Sequence, residues 1–185
     1  MKVKGNGQAK VLTHGEMIQF FQALKTPRDR CLFAICLFTG CRVSEALQLQ
    51  TSDIKGNTIV FRKSSTKGKL KTREMAIHPQ LLPFFDEYQV LKDGALFPPG
   101  NNGAKKKHLN RVTADKIFRD ACADAKIQGA STHSFRRTAL TQMSKSNIPL
   151  RTIQQISGHS DLGTLQRYLE VSPEEITAAI GHIQL

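Results

Sequence analysis

Five residues whose types could carry chemistry stand in three short motifs and one isolated position. Thr39-Gly40-Cys41-Arg42-Val43-Ser44-Glu45 carries Arg42, His133-Ser134-Phe135-Arg136 is an HxxR element, Gly158-His159-Ser160 follows, and Tyr168 lies beyond it. A guanidinium fork grips phosphoryl oxygens bidentately. An imidazole moves a proton near neutral pH, and a phenolate is a nucleophile. Together these types suit displacement at a phosphodiester, with two cations on the nonbridging oxygens, where negative charge grows, and a proton acceptor beside the attacking oxygen. A tyrosine with an ordinary pKa near 10 is only about 0.1% ionised at neutral pH, so neighbouring cations must lower it. Singly, each motif is weak, and Tyr168 alone reads as a structural or exposed residue.

These residues need rigid elements to bring them together. Thr13-His14-Gly15-Glu16 has capping-box spacing and opens a first helix with Ile18, Phe21 and Leu24 on its apolar face. Pro27 starts a second, and Leu32–Phe38 is apolar all round, as a central buried helix must be; Gly40 ends it, which puts Arg42 at the break before a short helix over Val43–Leu49. The β-branched and aromatic run Asn57–Phe61 and a weaker one at Met75–Ile77 read as strands, joined by a hairpin with a basic tip over Arg62–Arg73. Pro79 opens a helix carrying Leu81, Leu82, Phe84, Phe85 and Tyr88. Further helices are expected over Val112–Ala125, Phe135–Ser144 and Pro149–Ser157, the last stopped by Gly158. The HxxR element thus sits at a helix start, where orphan N–H groups favour anions. The fold class is mainly α with a small antiparallel β-hairpin or sheet (α+β).

Composition narrows the partner. The chain has 185 residues, enough for one sizeable domain, with 27 Lys+Arg against 15 Asp+Glu and a formal net charge of +12. The charge is clustered: Arg62, Lys63, Lys67, Lys69, Lys71 and Arg73 on the hairpin, Lys105, Lys106, Lys107 and Arg111 further on, and an acid-free stretch from Ala125 to Ser160 that includes Arg136 and Arg137. A solvated surface intersperses both signs, so these stretches fit a phosphate-tracking face on a polyanion, nucleic acid first among them. No apolar stretch approaches the roughly 20 residues of a membrane span, and the first ten residues lack a signal-peptide core. Cys31, Cys36 and Cys122 read as buried thiols in a reducing compartment, since the cysteine spacings match neither a redox pair nor a zinc site. No Walker A motif, metal-binding carboxylate cluster or dinucleotide fingerprint is present, so no cofactor is expected.

The ordered set Arg42, His133-x-x-Arg136, Gly158-His159 and Tyr168 resembles the tyrosine recombinase (phage integrase) family, from about Leu12 to the C-terminus. The resemblance implies the catalytic-domain fold of that family, with Arg42 and Arg136 as the paired arginines, His133 and His159 as the two histidines, and Tyr168 as nucleophile. It implies a catalytic lysine on the hairpin, best matched by Lys67, with Lys69 and Lys71 close by, and makes Glu45 an acidic support residue. Arg62, Lys63, Lys69, Lys71, Arg73, Lys105, Lys106, Lys107, Arg111 and Arg137 are expected on DNA phosphates. The implied activity is cleavage and rejoining of DNA at specific sites through a covalent 3′-phosphotyrosine, without ATP or metal, in the cytoplasm, by a chain that is monomeric alone and tetrameric on DNA. Two alternatives stay open: a decayed module that only binds DNA, and relaxation of the type IB topoisomerase kind.

Departures from the family pattern also set expectations. Residues 1–10 read as a flexible lead-in or linker, 11–185 as the catalytic domain, and the family's N-terminal core-binding domain is missing from the chain. Ser157 stands where the family usually has an apolar residue, which bears on local packing. Residues 172–185 form a terminal helix with Ile176, Ala179, Ile180 and Ile183 in one stripe, expected to dock in cis or on a neighbouring protomer.

Overall fold

The first helix begins where its capping box predicts. Thr13 Oγ1 accepts the Glu16 N–H at 3.2 Å while Glu16 Oε2 accepts the Thr13 N–H at 3.0 Å, and α1 runs His14–Ala23. The computed structural model describes residues 8–65, 72–89, 93–99, 108–166, 173–181 and 183. Thr26 caps α2 (Pro27–Thr39), Pro27 takes its first turn, and Gly40 closes it in the left-handed region at φ 61°. The short α3 (Val43–Leu47) follows, two residues shorter than expected, with Leu49 still buried beyond its end.

Three strands then form an antiparallel meander, β1 (Ile54–Lys55), β2 (Thr58–Phe61) and β3 (Arg73–Ala76), in that spatial order. The two-residue β1 is too short to announce itself in sequence, and β3 starts two residues before its apolar run. Its register pairs Phe61 with Arg73, Val60 with Glu74 and Ile59 with Met75. A 3-10 turn at Pro79–Leu81 leads into α4 (Leu82–Tyr88), and Tyr88 donates to the Leu96 carbonyl at 2.8 Å. The chain continues through α5 (Arg111–Asp124), α6 (Ser134–Lys145), α7 (Leu150–Ser157), α8 (Leu162–Gln166) and α9 (Pro173–Gly181).

The main core lies between α1, α2, α5 and α6. Phe20, Phe33, Phe118 and Phe135 are fully buried, with ring centroids 4.9–5.9 Å apart, mostly edge to face. A smaller cluster of Leu140, Ile153 and Leu165 fastens α7 and α8 to α6. At the start of the described chain, Lys10 N–H donates to the Gly129 carbonyl at 3.1 Å and the Ala9 carbonyl accepts from Arg137 Nη1 at 2.8 Å. All four cysteines are buried and unpaired as disulfides. Among the described residues no helix is long and apolar enough to cross a membrane.

Candidate active site

α6 carries the centre of the site because its first turn points two ways. Phe135 enters the aromatic core, and Arg136, the next residue, turns about 100° round the helix into a polar centre. Only 1% of Arg136 is exposed. Its Nη1 donates to the Gly40 carbonyl at 2.7 Å, and its Nη2 donates to the Ser157 carbonyl at 2.9 Å. These carbonyls lie at the C-terminal ends of α2 and α7, where the helix dipoles concentrate negative charge. One buried cation therefore joins two helix ends that lie far apart in sequence. His133 is the residue before α6, half-buried, one helical turn from Arg136.

The end of α7 presents the second histidine. Gly158 adopts φ 66° and stops the helix, which turns His159 back against Arg136, with Nη2 3.0 Å from the imidazole Nε2. Ser157 Oγ lies 2.8 Å from His159 Nδ1 and 3.3 Å from the Gln154 carbonyl. The same Arg136 Nη2 lies 3.3 Å from Nδ1, so the guanidinium faces both ring nitrogens. The Ser157 departure from the family pattern thus places a hydroxyl against the imidazole. Burial, then the Arg136, Arg42 and Arg73 cations, push the His159 pKa down to about 3 against an opposing pull from Asp161. The ring is neutral at pH 7 and, with its pKa so depressed, resists protonation.

Arg42 is the residue before α3. Its backbone N–H donates to Glu45 Oε2 at 2.8 Å, and its Nη1 reaches Glu45 Oε1 at a looser 3.4 Å. Glu45 is 1% exposed, so its charge is held almost entirely by protein partners. The second of these is Arg73, whose Nη2 donates to Glu45 Oε2 at 3.1 Å. Glu45 thus touches both the backbone and the side chain of Arg42, and binds a second arginine that its spacing does not reveal.

The expected phosphate contacts divide sharply. Arg62, Lys63 and Arg111 are exposed, with Arg62 also 2.6 Å from Asp53. Arg73 and Arg137 were expected on phosphates too, but both are 7% exposed and face inward, Arg73 to Glu45 and Arg137 to Ala9. Arg73 turns inward because its cross-strand partner Phe61 does; Arg137 follows Arg136 into the interior on the same turn of α6. Lys67, Lys69, Lys71, Lys105, Lys106, Lys107 and Tyr168 lie outside the described residues. Among the remaining histidines, His78 accepts the Gln80 N–H as a cap and stacks on Phe38, while His14 and His108 are exposed. Among the described residues no three His, Cys, Asp or Glu side chains gather to hold a metal ion.

The chain is similar to known proteins in sequence and in fold. The sequence pattern of the phage integrase family matches residues 10–175. The chain is 26% identical to a putative integrase/recombinase of Sinorhizobium fredii, over 95% of this chain and 56% of that protein. It is 30% identical to the tyrosine recombinase XerC of Rhodospirillum centenum, over 80% of this chain and 44% of that protein. The chain thus spans about half the length of most of the curated relatives it matches. Its fold superimposes on the XerA recombinase with a TM-score of 0.77 at 22% identity, covering 96% of this chain and 68% of that one. It also superimposes on the catalytic domain of bacteriophage HP1 integrase with a TM-score of 0.65 at 22% identity, covering 95% of both chains. The mainly helical fold, the three-stranded sheet and the match over residues 10–175 place the chain in the phage integrase family of tyrosine recombinases.

Proposed function

We propose that this chain is the catalytic domain of a site-specific DNA strand transferase, acting on double-stranded DNA in the cytoplasm. The observation that carries the reading is the convergence at Arg136, which touches Gly40, two residues before Arg42, and His159, although these lie 96 and 23 residues away in sequence. In this reading Arg42 and Arg136 hold the nonbridging oxygens of the scissile phosphate, with His133 beside them. Tyr168 Oη attacks phosphorus as its proton passes to a histidine imidazole. The bond from phosphorus to the 5′ oxygen breaks, and Lys67 protonates the leaving oxygen. The covalent 3′-phosphotyrosine conserves the bond energy, so resealing by a 5′ hydroxyl needs neither ATP nor a metal ion.

The exposed basic residues Arg62, Lys63 and Arg111, with Lys69, Lys71, Lys105, Lys106 and Lys107, hold the duplex through salt-dependent phosphate contacts. The C-terminal segment supports assembly: Ile176 and Ile180 on α9 and Ile183 just beyond its end are 54%, 63% and 79% exposed. It docks on a neighbouring protomer when the chain, monomeric alone, assembles as a tetramer on DNA. Deleting residues 172–185 should therefore lower strand exchange more than single-site binding, measured by exchange and gel-shift assays on one substrate. Equal loss of both would remove the assembly role.

The direct test of the reaction is adduct trapping. Incubation with a randomised pool of nicked duplexes should yield a covalent protein–DNA species resistant to denaturant. Tyr168→Phe should abolish that species and keep DNA binding. An adduct that persists in Tyr168→Phe would remove Tyr168 as the nucleophile.

A further inference from the structure

Arg73 is the basic residue whose placement departs furthest from a phosphate contact, and the register explains why. Antiparallel cross-strand partners project to the same face of a sheet. Arg73 pairs with Phe61, which is fully buried, so the guanidinium must enter the interior, 5.4 Å from the centre of the Phe61 ring. Inside, it meets two of the elements that build the site. Its Nη2 donates to Glu45 Oε2, the same oxygen that accepts the Arg42 backbone N–H. Its Nη1 donates to the Ile156 carbonyl at 3.2 Å. Arg136 takes the next carbonyl, Ser157, so two guanidiniums hold consecutive carbonyls of the last turn of α7. Gly158 lets this happen: a Cβ there would lie 2.1 Å from Arg73 Nη1, and its φ of +66° also favours glycine.

We propose that Arg73 is a positioning residue for strand transfer, which locks the end of the β2–β3 hairpin, the Glu45 support of Arg42 and the end of α7 that presents His159 into one geometry. The proposal rests on the reading of Arg42, Lys67 and His159 as reaction machinery. A planar fork serves here because it donates in two fixed directions, to a carboxylate and to a carbonyl; a lysine keeps the charge and loses that geometry. The charged groups acting on His159 are Arg136, Arg42 and Arg73, with Asp161 opposing them. Removing Arg73 therefore has an electrical signature at the histidine as well as a mechanical one.

The test compares wild type, Arg73→Lys and Arg73→Met in the full 185-residue chain. The DNA is a nicked duplex recovered from the wild-type adduct pool, and adduct formation is followed at saturating DNA. Displacement of machinery by about 1 Å costs on the order of 100-fold in rate, expected for Arg73→Met, with about 10-fold for Arg73→Lys. DNA affinity should stay within about 3-fold and its salt slope should not change, because no phosphate contact is removed. In the free protein, the His159 midpoint, followed by NMR of labelled histidine, should rise in Arg73→Met and stay near wild type in Arg73→Lys. Weakened binding with a salt slope smaller by about one, and unchanged saturated cleavage, would show Arg73 to be a phosphate contact and overturn the proposal. Wild-type cleavage in both variants would overturn it equally. If Arg73→Met loses its cooperative unfolding transition, Arg73→Lys decides on cleavage rate and salt slope. If wild type forms no adduct on any duplex, the reaction reading fails by itself. The His159 midpoint in Arg73→Met then decides the linkage, and an unchanged midpoint rejects it.

Discussion

Phe135 and Arg136 are consecutive on α6 and equally hidden, yet they sit in regions built on opposite principles. Around Phe135 the interior is aromatic, with Phe20, Phe33 and Phe118 in edge contact and no polar atom to satisfy. Around Arg136 the interior is a lattice of guanidinium, carboxylate, carbonyl and imidazole: Arg136, Arg73, Glu45, Ser157 and His159. The aromatic region gains stability from burial at about 25 cal/mol per Å² of apolar surface. The polar region must recover the solvation it gave up through geometry, so its net effect on stability is small while each missing partner is costly. The difference teaches what each region is for. A domain that needed only to fold could have kept aromatic packing throughout; charge buried beside a helix start, against two helix ends, suits it to meet an anion.

The comparison can be broken most forcefully at the aromatic side. Phe135→Ala should cost about 3–5 kcal/mol in urea unfolding, the usual result of emptying an aromatic site. A cost below about 1 kcal/mol would mean that the aromatic region is not what holds the fold.

A smaller effect sharpens the polar side through pH. The folded pKa of His159 lies below its unfolded value near 6.5, at about 3, so the native state resists binding a proton that the unfolded chain accepts. The stability tied to the neutral ring is therefore fully present above about pH 6.5 and is lost as pH falls toward 3. Unfolding at pH 7 and pH 4.5 should show a larger acid loss in wild type than in His159→Asn, which has no ring to protonate. Equal losses in the two proteins would mean that the ring is not held neutral by its surroundings.

Much of this was readable from local chemistry. Thr13 with Glu16, Pro27, Gly40 and Gly158 mark helix ends through hydrogen bonds and backbone freedom within a few residues, and each end lies where those residues imply. The arginine and histidine motifs were readable for a related reason, since HxxR places both side chains on one helix face. What was not readable depends on pairing at long range. Arg73 looks like the last member of a basic run until the register sets it opposite Phe61. Arg137 looks equivalent to any surface arginine until α6 packs against the chain at Ala9. Ser157 is one hydroxyl before a glycine, and its bond to His159 exists only because Gly158 turns the backbone. The short α8 had a local signal, Asp161 accepting the Thr164 N–H at 2.7 Å, but its five residues carry too little apolar pattern to stand out.

The most direct test of the account sets the two neighbours on α6 side by side. Phe135→Leu and Arg136→Lys are each measured for unfolding free energy and for adduct formation at saturating nicked duplex. Arg136→Lys should lower adduct formation about 100- to 1,000-fold, as losing a fork aimed at developing negative charge does, while the protein still folds cooperatively. Phe135→Leu should lose at least as much stability, yet its folded fraction should form the adduct within about 3-fold of the wild-type rate. If the two variants lose adduct formation only in proportion to the stability they lose, the buried arginine serves the fold and not the reaction, and the account is contradicted.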